Sequence, residues 1–293
     1  MNKINTFDFT PISNNRQLIH TISFAERIEK GKESVLTPHR ANFYILLFVT
    51  AGVSKHLIDF EVHPIEKGDF LIIRPGQVHA FFSTEGADGT IIAFTADFLL
   101  HKSDNEFISD VKRFLNELSY GCLFNIEVEK RQQVNALTEM IQQELSTTYD
   151  ELQEGILQSY LSSLLLILLR IKRRDNYLPL KKSSDFHHAL LFKGLLEKHY
   201  EKQYKVAQYA GKMGISIRNL QKLTERYFGK SPKTVIQEHL ILESKRMLID
   251  PSLQVKEIAY LLGFNEPTNF TKFFKKYTKL SPEQFRKSLF HRY

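Results

Sequence analysis

The sequence predicts an α+β chain of two domains. An N-terminal antiparallel β-barrel or sandwich carries helices, and a C-terminal all-α domain holds two helix-turn-helix units joined by a long helix. Three observations lead there. Short β-branched and aromatic bursts bounded by turn residues fill the first third of the chain. Apolar residues recur with a helical period after that. One motif occurs twice near the end, as GISIRNLQKLTERYFGKSP (Gly214 to Pro232) and GFNEPTNFTKFFKKYTKLSP (Gly263 to Pro282).

From about Ile19 to Phe98, the stretches FYILLFVTAG, KHLIDFEVHPIEKGDFLIIRPGQVHAFF and GTIIAFTADFL read as strands of about four to eight residues. No helix is expected among them, which is the pattern of a small antiparallel barrel or sandwich. Gly68-Asp69 and Pro75-Gly76 are turn dipeptides between consecutive strands. Beyond Ala96 the pattern turns helical, with Phe107, Val111, Phe114, Leu115 and Leu118 on one face.

Two long amphipathic helices follow between Val128 and about Arg173. Val134, Leu137, Ile141 and Leu145 make one stripe; Ile156, Leu157, Tyr160, Leu161, Leu164, Leu165 and Leu168 make a wider one. Thr147 to Asp150 supplies the break. Such stripes bury against a barrel or against a second copy of the chain, so residues 128–173 are the expected dimerisation segment of a homodimer. The run Ile156 to Ile171 contains Gln158, Ser159, Ser162, Ser163 and Arg170, and falls short of the roughly 18 uninterrupted apolar residues of a membrane span. The polar, basic stretch KRRDNYLPLKKSSDF marks the domain boundary. The expected division is 1–175, a linker at 176–185, and 186–293.

Each copy of the motif begins with a short helix ending in Ala and then Gly: Val206, Tyr209, Ala210, Met213, Gly214 and Val255, Ile258, Ala259, Leu262, Gly263. A small residue lets a second helix cross closely, and the glycine supplies the positive φ of a tight turn. The second helix presents Leu220, Leu223 and Tyr227 in one copy, and Phe270, Phe273 and Tyr277 in the other. Its other faces are polar and basic. This is the helix-turn-helix plan, whose second helix enters the major groove N-terminus first. A connecting helix of roughly 18 residues spans about 27 Å, long enough to set two such helices into successive grooves about 34 Å apart. The second copy has Lys279 where the first has Gly229, so a less regular helix end is expected there.

The charge agrees with this division. The formal charge is +7, yet residues 181–293 hold 22 Lys and Arg against 10 Asp and Glu. The rest of the chain holds 18 against 23, so only the basic half is expected to meet a polyanion. The single cysteine, Cys122, excludes an intramolecular disulfide and a Cys-rich zinc site. The start, MNKINTFDFTPISNN, lacks the apolar core of a secretory signal, and a soluble cytoplasmic protein is expected.

Gly-Phe followed by Phe-x-x-x-Phe-Lys-Lys and Ser-Pro, with Ile-Ala-x-x-x-Gly upstream, resembles the signature of AraC/XylS-type transcription regulators from His187 to His291. HRANFYILLFVTAG and KGDFLIIRPGQVHAF are similar to the cupin-like sensor domain of the same regulators. The resemblance implies a ligand-responsive, sequence-specific activator without enzymatic activity or cofactor. Its partners would be double-stranded DNA, an unidentified small-molecule effector and RNA polymerase.

The family places the exposed leading residues of each recognition helix on base edges. Here these are Arg218, Gln221 and Lys222 in the first copy, and Glu266, Pro267, Thr268 and Lys272 in the second. Arg or Lys pairs with guanine O6 and N7 and Gln with adenine N6 and N7, whereas Pro267 offers no donor, so the first copy is expected to discriminate more. Arg226, Lys275 and Lys276 lie further along and suit phosphates.

In the front domain, His39, His56, His63 and His79 invite a metal-enzyme reading. Metal-binding cupins pair two histidines, but Ala41 stands where the second belongs and Ile45 where a carboxylate often occurs, leaving His79 as a match and no metal site expected. A barrel lined by Phe43, Phe48, Phe60, Phe70 and Phe81 suits a small effector instead, with His39, Arg40, Arg74 and His79 as its polar contacts. Two alternatives stay open: a metal-dependent cupin enzyme with a DNA-binding tail, and a non-specific architectural DNA binder.

Overall fold

The computed structural model describes residues 6–9, 18–83, 86–100, 115, 123–175 and 184–289. They fall into two compact units, one ending in the helix that stops at Asp175 and the other beginning at Ser184. Most of the expected linker and most of the helical stripe at Phe107 to Leu118 lie outside the described residues; Leu115 is buried.

The first unit contains β1 (Thr6–Phe7), β2 (Ile19–Ser23), α1 (Phe24–Leu36), β3 (His39–Ala41), β4 (Tyr44–Ala51), β5 (Val53–Ile58), β6 (Glu61–Glu66), β7 (Asp69–Ile73), β8 (Val78–Ser83), β9 (Asp88–Phe94), α2 (Ala96–Leu100), β10 (Leu123–Asn125), α3 (Val128–Ser146) and α4 (Gln153–Asp175). The strands form two five-stranded sheets, in the orders β1-β3-β8-β5-β6 and β10-β7-β4-β9-β2. All neighbouring strands run antiparallel except β1 with β3.

The run YILLFVTA owes its nearly unbroken apolarity to its place. β4 lies at the centre of the second sheet, pairing Ile45 to Phe48 with Ile73 to Phe70, and both faces of that sheet are covered. Ile45, Leu47 and Val49 face Ala41, Ile58, Ile65 and Phe81 of the other sheet. Leu46 and Phe48 point the other way, onto Val134 and Ile141 of α3 and Leu157, Leu161, Leu164 and Leu168 of α4. A strand buried on both sides loses the alternation that a half-exposed one keeps. By length and composition α4 would pass as a membrane span, despite its polar interruptions. Here its leucines cover the sheet.

The break between α3 and α4 falls where expected. Asp150 Oδ1 accepts from the backbone N–H groups of Leu152 and Gln153, while the Gln153 amide donates to the Glu144 carbonyl, closing the corner. α1 was not expected. Its sequence, FAERIEKGKESVL, carries too few apolar residues for a clear helical stripe, and tertiary packing decides it. Ser23 Oγ accepts from the Glu26 N–H at its start, Glu26 pairs with Lys30, and Phe24 and Ile28 pack on the inter-sheet core.

The second unit contains α5 (Ser184–His199), a 3-10 turn (Tyr200–Lys202), α6 (Val206–Lys212), α7 (Ile217–Phe228), α8 (Pro232–Leu248), α9 (Val255–Leu261), α10 (Pro267–Thr278) and α11 (Pro282–Leu289). The repeat is visible in its caps. The N3 side chains Gln208 and Glu257 reach back to the N–H of Lys205 and Gln254. Each Ser-Pro places the serine at the N-cap and the proline at the first helical position. Ser231 Oγ accepts from Thr234 N–H and Ser281 Oγ from Gln284 N–H, and proline sacrifices no bond there. At 17 residues, α8 is about 25 Å long. Arg286 of α11 ties down its far end, donating from Nε to the Leu248 carbonyl at 2.9 Å and from Nη2 to that of Leu253 at 2.8 Å.

Candidate functional site

α7 and α10 are each built as an apolar edge with polar remaining faces. Ser216 Oγ caps α7 through the Asn219 N–H at 3.1 Å, fixing where the helix begins. From that start, Leu220, Leu223 and Thr224 fall inward, and Leu220 shares a core with Tyr209, Ala210 and Met213 at the end of the first helix. Thr224 is buried because its hydroxyl donates to the Gln221 carbonyl, so it occupies an apolar position without an orphaned polar atom. Arg218, Gln221, Lys222 and Arg226 are all exposed. The leading end of α7 is therefore open to a ligand. Arg226 is not idle: its guanidinium lies 3.5 Å from the Asp185 carboxylate of α5 and against the Tyr227 ring.

In α10, Glu266 is the N-cap residue without a side-chain cap bond, and Pro267 follows at the first helical position. Glu266, Thr268, Lys272, Lys275 and Lys276 are exposed, and Pro267 is half-buried. The inward pair is Phe270 and Phe274, four residues apart, whereas the sequence pattern had placed Phe273 and Tyr277 there. Phe273 instead rests between Phe264 and Tyr277, and Tyr277 is 38% exposed. Two adjacent phenylalanines fit either an i+3 or an i+4 stripe, and packing selects the second. The end of α10 is also as regular as that of α7. Lys279 takes the left-handed conformation at φ +65, as Gly229 does at +63, and each N–H closes on the carbonyl four residues back.

The front unit holds a cluster of a different kind. His39 and His79 are register partners on β3 and β8, with ring centroids 4.1 Å apart. His56 of β5 stacks on His79 at 5.5 Å and meets the edge of Phe81 at 4.5 Å. All three share the face that carries Ala41, Ile58 and Phe81 toward the other sheet. His39 Nδ1 donates to the Thr37 carbonyl, which fixes its tautomer, while both ring nitrogens of His56 and of His79 are buried without a hydrogen-bond partner. Burial holds His39 down to about 4 and His56 to about 3, and drives His79 well below the ordinary histidine range. All three are neutral imidazoles near pH 7. The rings of His56 and His79 stack and those of His39 and His79 are tilted by 58°, and among the described residues no group of three His, Cys, Asp or Glu side chains is placed to hold a metal ion.

Two family models match the chain. One, described as a helix-turn-helix domain, covers residues 209–288, the two units just described; the other, an AraC-like ligand binding domain, covers residues 26–169. The chain belongs to the AraC/XylS-type transcription regulators. The HTH-type transcriptional activator RhaS of Pectobacterium carotovorum subsp. carotovorum (strain PC1) is 22% identical over 265 residues, 89% of this chain and 91% of that one. RhaS of Yersinia pestis (strain Pestoides F) is 22% identical over 89% of this chain and 92% of its own. The crystal structure of ToxT from Vibrio cholerae O395 aligns at a TM-score of 0.45 and 17% identity, over 85% of this chain and 89% of that one.

This AraC/XylS-type regulator therefore binds DNA through its helical unit. The residues read as base and phosphate contacts are exposed on α7, on α10 and at its N-cap, apart from half-buried Pro267. The four polar residues assigned to the effector do not form one group. His39 and His79 touch, Arg40 is on the opposite face of β3 beside Val78, and Arg74 lies in the turn between β7 and β8. His56, which the sequence offered only as a metal ligand, completes the buried cluster. Of the aromatics expected inside the barrel, Phe81 faces the inter-sheet core and Phe43 packs against it. Phe48 and Phe70 face α3 and α4 instead, and Phe60 forms a turn at φ +76. Strand alternation explains the split, because Phe48 and Phe70 are register partners and share the outer face.

Proposed function

We propose that the protein is a cytoplasmic, ligand-responsive activator that works as a homodimer and engages RNA polymerase at its promoters. Residues 1–175 sense and dimerise, the dimer forming through 128–173; 176–185 link; and 186–293 read DNA. One observation carries the reading: two helix-turn-helix units in one compact body each leave polar side chains exposed near the leading end of the second helix. Arg218, Gln221 and Lys222 contact base edges from α7, and Glu266, Pro267, Thr268 and Lys272 from α10. Arg226, Lys275 and Lys276 bind phosphates, adding affinity without sequence information.

The activator role is supported by the names of the RhaS relatives. The sensing role is supported by the match to an AraC-like ligand binding domain. Within that domain His39 and His79, joined by His56, are the strongest polar contacts, since the partnerless ring nitrogens of His56 and His79 gain hydrogen bonds when a ligand arrives. Arg40 and Arg74 contact an effector only at its periphery.

Selection of bound duplexes from a random pool, with and without small metabolites, tests the reading. A specific regulator prefers its selected site over random duplex by roughly 10³–10⁷. A preference near unity would establish a non-specific binder. Catalytic turnover with a bound metal would establish the cupin enzyme.

A further inference from the structure

Ile217 is the first residue of α7, and it is a large apolar side chain left 50% exposed. Gln221, also exposed, stands one turn on along the same side, and exposed Arg218 is the next residue of the helix. The buried residues of the same helix are Leu220, Leu223 and Thr224, and Leu220 packs with Tyr209 and Ala210 of the first helix. The equivalent position in the second unit is Pro267, also apolar and also at the first helical position. Both recognition helices thus lead with an apolar residue at the end that enters a major groove first.

The major groove offers one apolar group, the 5-methyl of thymine. A β-branched aliphatic side chain near an Arg and a Gln has the chemistry to cover that methyl while its neighbours bond to the flanking bases. Charged or amide side chains at this position would pay desolvation against a methyl group, whereas isoleucine does not. We infer that Ile217 is a specificity-determining residue that reads a thymine methyl next to the base pair read by Arg218 or Gln221. The inference rests on α7 being a recognition helix, as proposed above. It adds a preference for T over any base lacking the methyl, including uracil, which keeps the same hydrogen-bonding edge.

The test uses the full chain on a site selected from random duplexes. Each thymine of the site is replaced in turn by uracil, which removes the methyl and leaves the hydrogen-bonding edge intact. Wild-type protein is expected to lose about fourfold in affinity at one thymine per α7 contact, the worth of one buried methyl group. In Ile217→Ala that T-to-U difference should shrink to less than about 1.5-fold at the same position, with Ile217→Val intermediate. Arg218→Ala, measured alongside, should relax preference at the neighbouring base pair. If wild type is indifferent to uracil everywhere, or if Ile217→Ala keeps the full difference, the assignment of Ile217 is overturned. Loss of specificity in Arg218→Ala then leaves the reading of α7 standing; no change there as well overturns both.

Discussion

A Cβ on Gly263 would stand 1.9 Å from the backbone carbonyl oxygen of Glu201. The same atom on Gly214, its counterpart in the first repeat, would meet nothing within 4 Å. Both glycines have positive φ, +65 and +78, because each ends a first helix and starts a tight turn. The second turn is also where the loop ahead of α6 closes on α9: Gln203 donates from Nε2 to the Leu262 carbonyl at 2.9 Å. This contact fastens the segment ahead of the first repeat to the turn of the second.

Substitution at the two glycines should therefore separate conformational strain from steric exclusion. Gly214→Ala is expected to cost about 1–2 kcal/mol, the penalty of a side chain in the left-handed region. Gly263→Ala bears that penalty plus the overlap with Glu201, and should cost about 3 kcal/mol or more. Urea melts of the two variants give the comparison. Equal losses would mean that the Glu201 loop moves aside freely.

Lys279 makes the converse case. It holds the left-handed conformation that its counterpart Gly229 holds without strain, and its N–H still closes on Lys275. Lys279→Gly should stabilise the helical unit by about 1 kcal/mol. Gly229→Lys should destabilise it by a similar amount. A thermal melt of each variant shows the sign, and a destabilised Lys279→Gly would mean that the lysine side chain contributes more than its backbone costs.

How far the sequence could be read follows from these particulars. The repeat was legible because its marks are backbone requirements: glycine at the turn, serine at the cap, proline at the first helical position. Those hold at every occurrence, whatever surrounds them. The inward residue of α10 was not legible, since Phe273 and Phe274 are chemically identical and only packing against Phe285 and Phe264 tells them apart. Thr224 hid for a related reason, being a polar residue at an apolar position. α1 hid because few apolar residues hold it, and the inter-sheet core supplies the rest. In the effector domain the histidines could be seen one by one, yet only strand register brings His39, His56 and His79 to one place. Sequence spacing carries no trace of that register across β3, β5 and β8.

The phosphate and base roles separate in salt dependence. Lys276→Ala should weaken specific and random duplexes alike and reduce the slope of log K against log salt by about 1. Arg226→Ala should do the same, and Asp185→Asn, which releases Arg226 from its exposed ion pair, should strengthen both classes slightly. Arg218→Ala should instead cost about 1–3 kcal/mol on the selected site and relax discrimination at one base pair. Fluorescence titrations at several salt concentrations distinguish the patterns. Equal losses on selected and random duplex for Arg218→Ala would remove it from the base contacts.

The histidine cluster sets how the front domain responds to acid. In the folded protein burial lowers His39 to about 4 and His56 to about 3, with His79 lowered as well, while in the unfolded chain each returns toward 6.5. Above that value both states are neutral and the cluster leaves stability unaffected by pH. As pH falls below 6.5 the unfolded chain takes up protons that the folded one refuses, so stability declines until pH passes below the folded values. The neighbouring charges act in the same direction, because Arg27 near His39 and His79 and His63 near His56 oppose a further positive charge. The front domain should therefore lose melting temperature steadily between about pH 6.5 and 4. His56→Leu, which removes one of the three groups and two orphaned nitrogens, should flatten that decline without lowering the melting temperature at pH 7.5 by more than a few degrees. Calorimetry across this range decides it, and an acid limb as steep in His56→Leu as in wild type would show that other groups control the response.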